Sequence, residues 1–462
     1  MTLIKSISGF RGTIGGFPDE NLTPVDIVKF ASAYGAWIIN NSKNKNVVIG
    51  RDARISGKIV SDLVSSTLLS LGLNVLDLGL STTPTVEMAV QMEKAAGGII
   101  LTASHNPKQW NALKLLNGKG EFISASDAEQ VLKLAEAQEF KYAEINALGT
   151  YVQDSSFLDK HIAEIIKLPL VDLDSIKAMN FSVVVDAVNS SGGIAVPKLL
   201  KALGVSEIHE INCEPTGHFA HNPEPLPEHL TELSSAVKNK KAHLDICVDP
   251  DVDRLALVGE DGNVFGEEYT LVAVADYVLQ HYKKGNTVSN LSSTRALKDI
   301  TEKAGGEYHA SAVGEVNVVE MMKATNAVIG GEGNGGVIFP ELHYGRDALV
   351  GIALFLSLLS KSGKTCTALR MSYPNYIISK NKVDINKDIN PDEILEKIQE
   401  KYKKFPINTI DGVKIDFEEE WIHLRKSNTE PIIRIYAESK SETTARNLTM
   451  KIIKDIGEIA NQ

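Results

Sequence analysis

The chain has 462 residues, of which 43% are hydrophobic and 23% are charged, and its formal net charge is −11. This length exceeds what one hydrophobic core supports, so we expect about two to four domains. The negative charge argues against nucleic acid and anionic membrane surfaces as main partners. Its three cysteines, Cys213, Cys247 and Cys366, are far apart and form no C-x-x-C pair, which argues against a disulfide scaffold or a zinc site.

The start of the chain, MTLIKSISGF, has no apolar signal core. No run approaches the roughly 18 apolar residues of a membrane span. We therefore expect a cytoplasmic protein without membrane or nucleic-acid partners, present as a monomer or a homodimer.

The first 150 residues alternate strand-like and helix-like segments. Strands are predicted over 47–50, 74–80 and 97–104, and helices over 56–72 and 84–92. This β-α-β-α-β order predicts a mostly parallel sheet covered by helices. The polar stretch 133–149 is predicted to be a helix that connects this domain to the next.

The same alternation restarts twice and then changes. After about residue 370 the strands alternate apolar and polar residues with period two, as half-exposed antiparallel strands do, and 442–460 is an amphipathic helix. The predicted fold class is therefore α/β, with three mixed α/β sheet domains and a smaller C-terminal α+β domain. The predicted boundaries are 1–150, 151–254, 255–370 and 371–462.

A serine follows the strand at 97–101, in the loop Thr102-Ala103-Ser104-His105-Asn106-Pro107. The carboxyl ends of strands in open α/β sheets are where ligands bind. This loop is not the G-x-S-x-G of acyl transfer. His105 is expected to point away from Ser104, because neighbours in an extended segment or turn point apart. Ser104 is either a nucleophile or a turn hydroxyl, and the loop alone leaves both open.

An acidic loop, residues 249–254, follows a second strand and reads D-P-D-V-D-R. Asp249, Asp251 and Asp253 would repel one another without a cation, and a divalent metal is the natural interpretation. An EF-hand fits poorly, because Arg254 occupies the position of its invariant glycine. Two alternatives stay open, which are a phosphatase that uses Asp249 as nucleophile and a solvated acidic turn.

Two later loops carry ligand-binding groups. The loop at 330–336 has five glycines, and its Glu332 and Asn334 suit sugar hydroxyls better than phosphate. It is not a P-loop, because no G-K-[ST] follows. The loop at 425–431 combines cations, hydroxyls and exposed amides, which is typical of a phosphate nest. Its candidate ligands are Arg425, Ser427, Asn428 and Thr429, with Arg434 further on. A glycine-rich turn and a polar hairpin are the respective alternatives.

Together the four loops predict one active site that contains a nucleophilic serine, a metal site, a sugar-binding loop and a phosphate-binding loop. Over essentially its whole length the chain resembles the α-D-phosphohexomutase superfamily of phosphoglucomutases, phosphomannomutases and phosphoglucosamine mutases. The resemblance rests on T-A-S-H-N-P at 102–107, D-x-D-x-D-R at 249–254, G-E-x-x-G-G at 331–336 and R-x-S-N-T-E-P at 425–431. Segments 9–12 (GFRG), 50–54 (GRDAR) and 222–225 (NPEP) also match.

The resemblance implies four domains around a central cleft and phosphoryl transfer between O1 and O6 of a hexose. Ser104 would carry the phosphoryl group, and the reaction would pass through a bisphosphorylated sugar. The three aspartates and the phosphoserine would hold Mg²⁺, with hexose 1,6-bisphosphate as activator.

The same resemblance assigns roles to other residues. His105 and Lys114 match positions near the transferring phosphate, and Arg11 and Arg254 match positions that stabilise it or assist proton transfer. Four residues would hold the phosphate that does not react, namely Arg425, Ser427, Asn428 and Thr429.

The chain departs from the family pattern at three places. Pro250 and Val252 replace the glycines of the usual D-G-D-G-D, Ala112 replaces a glycine after Asn111, and Asn334 stands where serine is usual. The form of the phosphate loop with Glu430 resembles phosphoglucosamine mutases, which favours glucosamine phosphate over phosphomannomutase/phosphoglucomutase substrates. A metal-dependent phosphatase and a non-catalytic sugar-phosphate binding protein remain as further hypotheses.

Overall fold

A computed structural model describes residues 2–6, 9–385, 390–427 and 432–460. The chain forms two compact units, of which the first consists of Met1–Tyr282 and Asn334–Arg370. The second consists of Lys283–Gly333 and Met371–Gln462. Within the described ranges, no helix combines the length and the apolar character that crossing a membrane requires. The domain boundaries inferred above, at 150, 254 and 370, stay predictions.

The first unit opens with a mixed sheet of seven strands in the order β1-β2-β6-β5-β3-β4-β7. The strands are β1 Ile4–Ser6, β2 Gly9–Thr13, β3 Asn46–Arg51, β4 Asn74–Leu80, β5 Gly97–Leu101, β6 Trp110–Leu116 and β7 Tyr151–Gln153. β5, β3 and β4 run parallel, as the sequence predicts, and β7, which was not predicted, runs parallel to β4. β6 runs antiparallel to both β5 and β2, and β1 runs antiparallel to β2. The pattern missed β6, because a lysine and an asparagine interrupt its apolar residues.

Helices cover both faces of this sheet. They are α1 Pro24–Asn41, α2 Gly57–Ser70, α3 Thr83–Met92 and α4 Ala125–Ala137. α1, α2 and α4 share a core with one face, through side chains such as Phe30, Val64 and Val131. The predicted helix over 133–149 is wrong beyond Ala137, because Gln138 adopts a left-handed φ of 51° that ends α4.

A second sheet in the first unit has the order β11-β10-β8-β9. Its elements are α5 Phe157–Lys167, α6 Leu173–Ala178, β8 Ser182–Asp186, α7 Gly192–Leu203, β9 Glu207–Ile211, α8 Thr231–Lys240, β10 Leu244–Val248 and β11 Leu255–Gly259. β10, β8 and β9 are parallel, and β11 returns antiparallel to β10. The acidic loop therefore lies between two paired strands.

The next segment contributes elements to both units. They are α9 Glu267–His281, β12 Thr287–Asn290, α10 Ala296–Lys303, β13 Tyr308–Ser311, α11 Glu315–Thr325, β14 Ile329–Glu332, β15 Gly336–Ile338, α12 Ala348–Ser362 and α13 Cys366–Arg370. In the second unit, β12 lies between β13 and β14, parallel to both. α12 belongs to the first unit, and Asp347 caps it as predicted, because its side chain accepts from the amides of Leu349 and Val350.

The C-terminal part of the second unit is an antiparallel sheet in the order β16-β20-β19-β18-β17. Its elements are β16 Ile377–Asp384, α14 Pro391–Tyr402, β17 Ile407–Asn408, β18 Val413–Asp416, β19 Trp421–Lys426, β20 Ile432–Ser439 and α15 Glu442–Ala460. One face packs its apolar residues against α14 and α15, with Leu424, Ile435 and Ile452 in the core. The period-two pattern and the final amphipathic helix are confirmed.

Candidate active site

The serine loop begins at the carboxyl end of β5 and turns sharply at Ser104, whose φ of 48° lies in the left-handed region. Non-glycine residues adopt this conformation only when neighbours hold them in it. The Ser104 amide donates to Thr102 Oγ1 at 2.9 Å, and the Thr102 hydroxyl donates to Asp52 Oδ2 at 2.7 Å. The turn is thus held through the side chain two residues earlier.

Arg54 is the template for the rest of the loop. Its guanidinium is buried and pairs with Asp52, with Nε 3.0 Å from Oδ2. The other guanidinium nitrogens donate to four loop carbonyls, those of Ser104 (2.5 Å), Asn106 (2.6 Å), Pro107 (2.7 Å) and Trp110 (2.9 Å). The planar fork of arginine suits such a set of acceptors. The GRDAR pattern at 50–54 did not reveal this role of Arg54.

Asp249 joins the serine loop to the acidic loop. Its Oδ2 accepts a hydrogen bond from Ser104 Oγ at 2.7 Å. Its Oδ1 accepts the backbone amides of Asp253 and Arg254, both at 3.1 Å. Ser104 is 6% exposed and Asp249 is fully buried, so a hydroxyl and a carboxylate meet in a site from which most water is excluded.

Asp251 and Asp253 are each held through one carboxylate oxygen. Asp251 Oδ2 accepts from Lys114 Nζ at 2.7 Å and from Thr83 Oγ1 at 2.6 Å. Asp253 Oδ2 accepts from Arg346 Nη2 at 2.7 Å and lies 3.5 Å from Lys114 Nζ. Both aspartates are fully buried. Thr83 and Arg346 were not predicted as site residues, because each lies far from the acidic loop in sequence.

The acidic loop stores backbone strain at Val252. This buried, β-branched residue has a φ of 64°, at the position where the family resemblance leads one to expect glycine. Such a conformation costs on the order of 1–3 kcal/mol and persists only where the surroundings enforce it. The carbonyl of Pro250, two residues before Val252, accepts hydroxyl hydrogen bonds from Ser190 at 2.7 Å and Ser191 at 2.8 Å. The loop is held in this shape by its neighbours.

Burial and charge push the acidic residues in opposite directions. Burial, with the charges of Asp253 and Asp251, raises the pKa of Asp249 well above its usual value. Burial also favours a raised pKa for Asp251, but the Lys114 charge and the hydrogen bonds to this carboxyl overcome it and lower the pKa. For Lys114, the charges of Asp251 and Asp253 outweigh the effect of burial and raise its pKa. One carboxyl of the loop thus tends to keep its proton while its neighbour is ionised.

The aspartate cluster could hold a metal ion. One carboxylate oxygen from each of Asp249, Asp251 and Asp253 lies within 4.8 Å of those of the other two. The Oδ1 atoms of Asp251 and Asp253 are buried, and in the described part of the chain they have no hydrogen-bond partner. A buried oxygen without a donor is unfavourable unless a cation takes that place. Three carboxylates form the oxygen-rich donor set that hard divalent cations prefer.

His105 lies closer to Ser104 than the sequence predicts. Its Nδ1 is 3.4 Å from Ser104 Oγ. The expectation that the two side chains point apart is wrong, because the left-handed turn at Ser104 brings them to the same side. Burial, with the nearby charges of Arg254 and Arg346, lowers the pKa of His105 well below its usual value. His105 is therefore a neutral imidazole at neutral pH.

The structure places the two predicted arginines differently. Arg254 Nε is 3.9 Å from Asp253 Oδ1, and its Nη1 is 3.4 Å from Glu224 Oε1. Glu224 lies in the 222–225 segment, whose role the sequence did not reveal. Arg11, on β2, is directly opposite Ala112 on β6. Opposite residues share a sheet face, so Arg11 is on the face that carries Lys114.

The predicted sugar loop is divided between the two units. Glu332 ends β14 in the second unit, is 5% exposed, and accepts from Asn290 Nδ2 at 2.9 Å and from the Gly314 amide at 3.1 Å. Asn334 belongs to the first unit, and its Oδ1 accepts from the Gly336 amide at 3.2 Å. Glu332 is thus a buried carboxylate fixed by two donors, whereas Asn334 Oδ1 stabilises its own turn.

The predicted phosphate loop starts from a row of cations across three strands. Arg425 on β19 is directly opposite Arg434 on β20, which is directly opposite Lys382 on β16. Asp411 partly compensates them, with Oδ2 3.2 Å from Arg425 Nη1. Ser427 continues the loop and donates its amide to the Ile432 carbonyl at 3.0 Å. Asn428 and Thr429 lie outside the described residues.

Comparison with protein families gives four matches in chain order. Profiles described as phosphoglucomutase/phosphomannomutase match residues 4–142 (alpha/beta/alpha domain I), 159–262 (domain II), 266–376 (domain III) and 382–455 (C-terminal domain). Together these matches cover most of the chain.

Individual relatives agree with these matches. A phosphoglucomutase/phosphomannomutase of Thermococcus kodakarensis is 35% identical over 96% of this chain and 98% of its own length. A phosphoglucosamine/phosphogalactosamine mutase of Sulfurisphaera tokodaii is 33% identical over 96% of this chain and 98% of its own. The crystal structure of a putative phosphomannomutase from Thermus thermophilus, 26% identical, superposes with a TM-score of 0.83 over 98% of this chain and 99% of that one.

Proposed function

The chain belongs to the phosphoglucomutase/phosphomannomutase family and is a phosphohexomutase, and we propose that it interconverts glucosamine 6-phosphate and glucosamine 1-phosphate through phosphorylated Ser104. The observation that carries this proposal is the contact of Ser104 Oγ with Asp249 Oδ2, at 2.7 Å. If Ser104 served only as a turn hydroxyl, its contact with a buried carboxylate cluster from a separate sheet would have no explanation.

In the proposed reaction, phosphoserine gives its phosphoryl group to the free hydroxyl of the sugar phosphate. The P–Oγ bond of Ser104 breaks and a P–O bond to the sugar forms, while the proton of the attacking sugar hydroxyl ends on Ser104 Oγ. The resulting bisphosphate turns around and returns its other phosphate to Ser104. Lys114 and Arg254 offset the negative charge of the transferring group, since both lie within 4 Å of an aspartate oxygen of the acidic loop. Arg11, on the same sheet face as Lys114, and neutral His105 complete the set.

Asp249, Asp251, Asp253 and the phosphoserine would hold Mg²⁺. Mg²⁺ supplies neutralisation of the transferring phosphoryl oxygens when it is bound. Hexose 1,6-bisphosphate would serve as activator, because it can phosphorylate a dephosphorylated Ser104. The monomeric or homodimeric state and the cytoplasmic location stay predictions from the sequence.

The cation row on β16, β20 and β19 supports an anchor for the phosphate that does not react. Like charges directly opposite each other destabilise a sheet, and an anion between them relieves the repulsion. Arg425 and Arg434 would bind this phosphate, and Ser427 with Asn428 and Thr429 would complete the contact. Arginine suits the task because its fork matches phosphate oxygens.

Glu332 supports an amino sugar as substrate. A buried carboxylate already fixed by Asn290 and Gly314 can accept a hydrogen bond from a 2-ammonium group, which carries the complementary charge. Phosphomannomutase/phosphoglucomutase activity is the second candidate. It is favoured by the relative of that name in Thermococcus kodakarensis, which is 35% identical to the chain.

The test compares three substrates on purified protein with Mg²⁺ and a trace of the matching bisphosphate. Glucosamine 6-phosphate, glucose 1-phosphate and mannose 1-phosphate are offered separately, and kcat/KM is measured for each. We expect glucosamine 6-phosphate to be preferred. A larger kcat/KM for either hexose phosphate would instead establish the second candidate.

The serine has its own control in Ser104→Ala. This variant is expected to lose turnover of every substrate and to incorporate no phosphate, as measured by intact mass. If it instead releases free phosphate as fast as the wild type, Asp249 is the nucleophile of a phosphatase. Tight binding of sugar phosphate without turnover, and without phosphate on wild-type Ser104, would make the chain a binding protein.

A further inference from the structure

Two helices begin directly beside the acidic loop and hold it through both backbone and side chain. At the start of α3, the Thr83 amide donates to the Asp251 carbonyl at 2.8 Å, and the Thr83 hydroxyl donates to Asp251 Oδ2 at 2.6 Å. At the start of α12, the Ala348 amide donates to the Val252 carbonyl at 3.1 Å. Arg346, two residues earlier, donates to Asp253 Oδ2 at 2.7 Å. The position of the loop therefore depends on the positions of these helix starts.

A buried polar cluster joins the two helices to each other. We call it the histidine network, and its members are Thr85 and Glu87 on α3, His161 on α5, and His343 and Asp347 before α12. Asp347 Oδ2 lies 3.0 Å from His161 Nε2 and 3.3 Å from His343 Nε2. The other ring nitrogens face α3, with His161 Nδ1 3.0 Å from Thr85 Oγ1 and His343 Nδ1 3.4 Å from Glu87 Oε2.

The network has little freedom to rearrange. Glu87, His161 and Asp347 are fully buried, and His343 is 3% exposed. A Cβ at Gly345 would lie 1.9 Å from Glu87 Oε2, so the chain approaches this carboxylate as only glycine permits. Removing the Asp347 carboxylate would take away the shared hydrogen-bond acceptor of two buried imidazoles, those of His161 and His343, which is costly.

We propose that Arg346 is a positioning residue for Asp253, and that the histidine network holds Arg346 and Thr83 in register so that the aspartates can bind metal. This inference rests on the metal role proposed for the aspartates. It concerns residues outside the aspartate triad itself, and it gives a role to the five buried polar groups of the histidine network, which the proposed phosphoryl chemistry does not use.

The arrangement of carboxylate oxygens gives the physical reason. Arg346 and Thr83 each occupy an Oδ2 atom, of Asp253 and Asp251 respectively, and the Oδ1 atoms without hydrogen-bond partners are left for a cation. A donor that fixes one oxygen of a metal-binding carboxylate orients the other. Loss of such an outer contact typically weakens metal affinity about 10- to 100-fold.

The first experiment measures Mn²⁺ binding to unphosphorylated protein by calorimetry, without substrate. Arg346→Gln is expected to raise the Mn²⁺ Kd about 10- to 100-fold. Its control is Arg370→Gln, since Arg370 is an arginine of the same unit that donates to the Phe265 carbonyl and stacks on Tyr269. That control is expected to lower the melting temperature without changing the Mn²⁺ Kd. An unchanged Kd in Arg346→Gln would overturn the proposal.

The second experiment separates the network from the helix cap. Asp347→Asn keeps a side chain that caps helices well but removes the charge that both histidines face. We expect the Mn²⁺ Kd to rise severalfold while the circular dichroism spectrum stays that of the wild type. A Kd equal to that of the wild type in Asp347→Asn would contradict the role of the network.

Metal analysis of the purified wild type checks an opposite interpretation. The wild type would then retain one equivalent of a transition metal after dialysis against EDTA, and His343→Gln would lose it. That result would make the histidine network a metal site and refute its proposed positioning role. A different result would refute the proposed function. Wild-type protein that binds Mn²⁺ but turns over no sugar phosphate would refute that function without contradicting the role of the histidine network. Normal Mn²⁺ binding and normal mutase activity in Arg346→Gln would refute the positioning role of Arg346 and of the histidine network, and would leave the proposed function unaffected.

Discussion

At the level of single residues, buried charged and polar side chains hold the functional loops through hydrogen bonds and ion pairs. Arg54 holds four carbonyls of the serine loop, and Lys114 neutralises two aspartates. His423 on β19 shows the same principle outside the acidic loop. Its Nε2 donates to the Asp411 carbonyl at 2.6 Å, and its Nδ1 accepts from the Ser292 hydroxyl at 2.9 Å, so it is buried as a neutral imidazole.

The neutral state of His423 predicts a loss of stability in acid. Burial, helped by the charge of Lys414, lowers its pKa from the usual 6.5 to about 4. Because the folded pKa lies below the unfolded one, the unfolded chain binds the proton more readily between these values. The contribution is present above pH 6.5 and is lost as the pH falls toward 4. When the pH is lowered from 7 to 5, we expect the unfolding free energy of the wild type to fall by about 2 kcal/mol more than that of His423→Gln.

Urea unfolding of the full chain at several pH values measures this difference. His309→Gln serves as control, because His309 is a half-exposed histidine of the same unit. A pH dependence that His423→Gln changes and His309→Gln does not would assign the effect to His423 rather than to the loss of any histidine. Parallel profiles for wild type and His423→Gln would show that His423 does not resist protonation.

At the level of elements, the order of strands decides which side chains meet. β6 returns antiparallel between β5 and β2, and this places Lys114 and Arg11 on one sheet face beside the serine loop. In the second unit, β20 lies between β16 and β19 and aligns Lys382, Arg434 and Arg425 across three strands. No sequence pattern reveals either alignment, since strand pairing joins residues far apart in the chain.

The cation row predicts a conflict between stability and binding. Arg434→Thr removes the central charge and keeps a residue with good β-propensity. Without anions, this variant is expected to gain about 0.5 kcal/mol in unfolding free energy, because opposed like charges are destabilising. Its KM for the sugar phosphate is expected to rise at least about tenfold, because a charged hydrogen bond to phosphate is lost.

Both quantities are measured in phosphate-free buffer, and Lys380→Thr is the matched control. Lys380 is on the same face of β16 but is opposite Tyr436 rather than a cation. It should change KM little. If Arg434→Thr leaves KM at the wild-type value, the row does not bind the substrate phosphate.

Across the whole molecule, the proposed roles are divided between the two units. The first unit holds the serine loop and the acidic loop, and the second holds Glu332 and the cation row. A metal bound by the aspartates therefore stabilises the first unit directly. Such stabilisation follows mass action and depends on how far the metal concentration exceeds its Kd.

Addition of Mg²⁺ at about 100 times its Kd is expected to stabilise the first unit by about 2.7 kcal/mol. Differential scanning calorimetry with EDTA or Mg²⁺ measures the shift. Asp251→Asn and Asp253→Asn should abolish it, whereas Asp172→Asn should keep it. Asp172 caps α6 and pairs with Lys361, away from the acidic loop. An equal Mg²⁺ shift in wild type and both loop variants would place the metal elsewhere.

The local parts of the fold and site could be predicted from the sequence. The parallel strands β3, β4 and β5, the antiparallel C-terminal strands and the Asp347 cap are confirmed, because hydrophobic periodicity and capping chemistry are short-range signals. The helix over 133–149 is wrong beyond Ala137, because a polar helical pattern does not encode where a left-handed residue ends it. β6 was missed, because Lys114, which contacts the acidic loop, interrupts the apolar pattern of this strand.

By itself the sequence determined the chemistry of the loops, since a serine, three aspartates two residues apart and a cation-rich turn are identities and spacings that no fold can alter. Only the tertiary structure decided which distant groups orient them. Thr83 and Arg346 reach the acidic loop across more than 90 residues of chain, and His105 turns toward Ser104 because the backbone there is left-handed. Such contacts depend on how helices and sheets pack, and packing is a property of the whole folded chain.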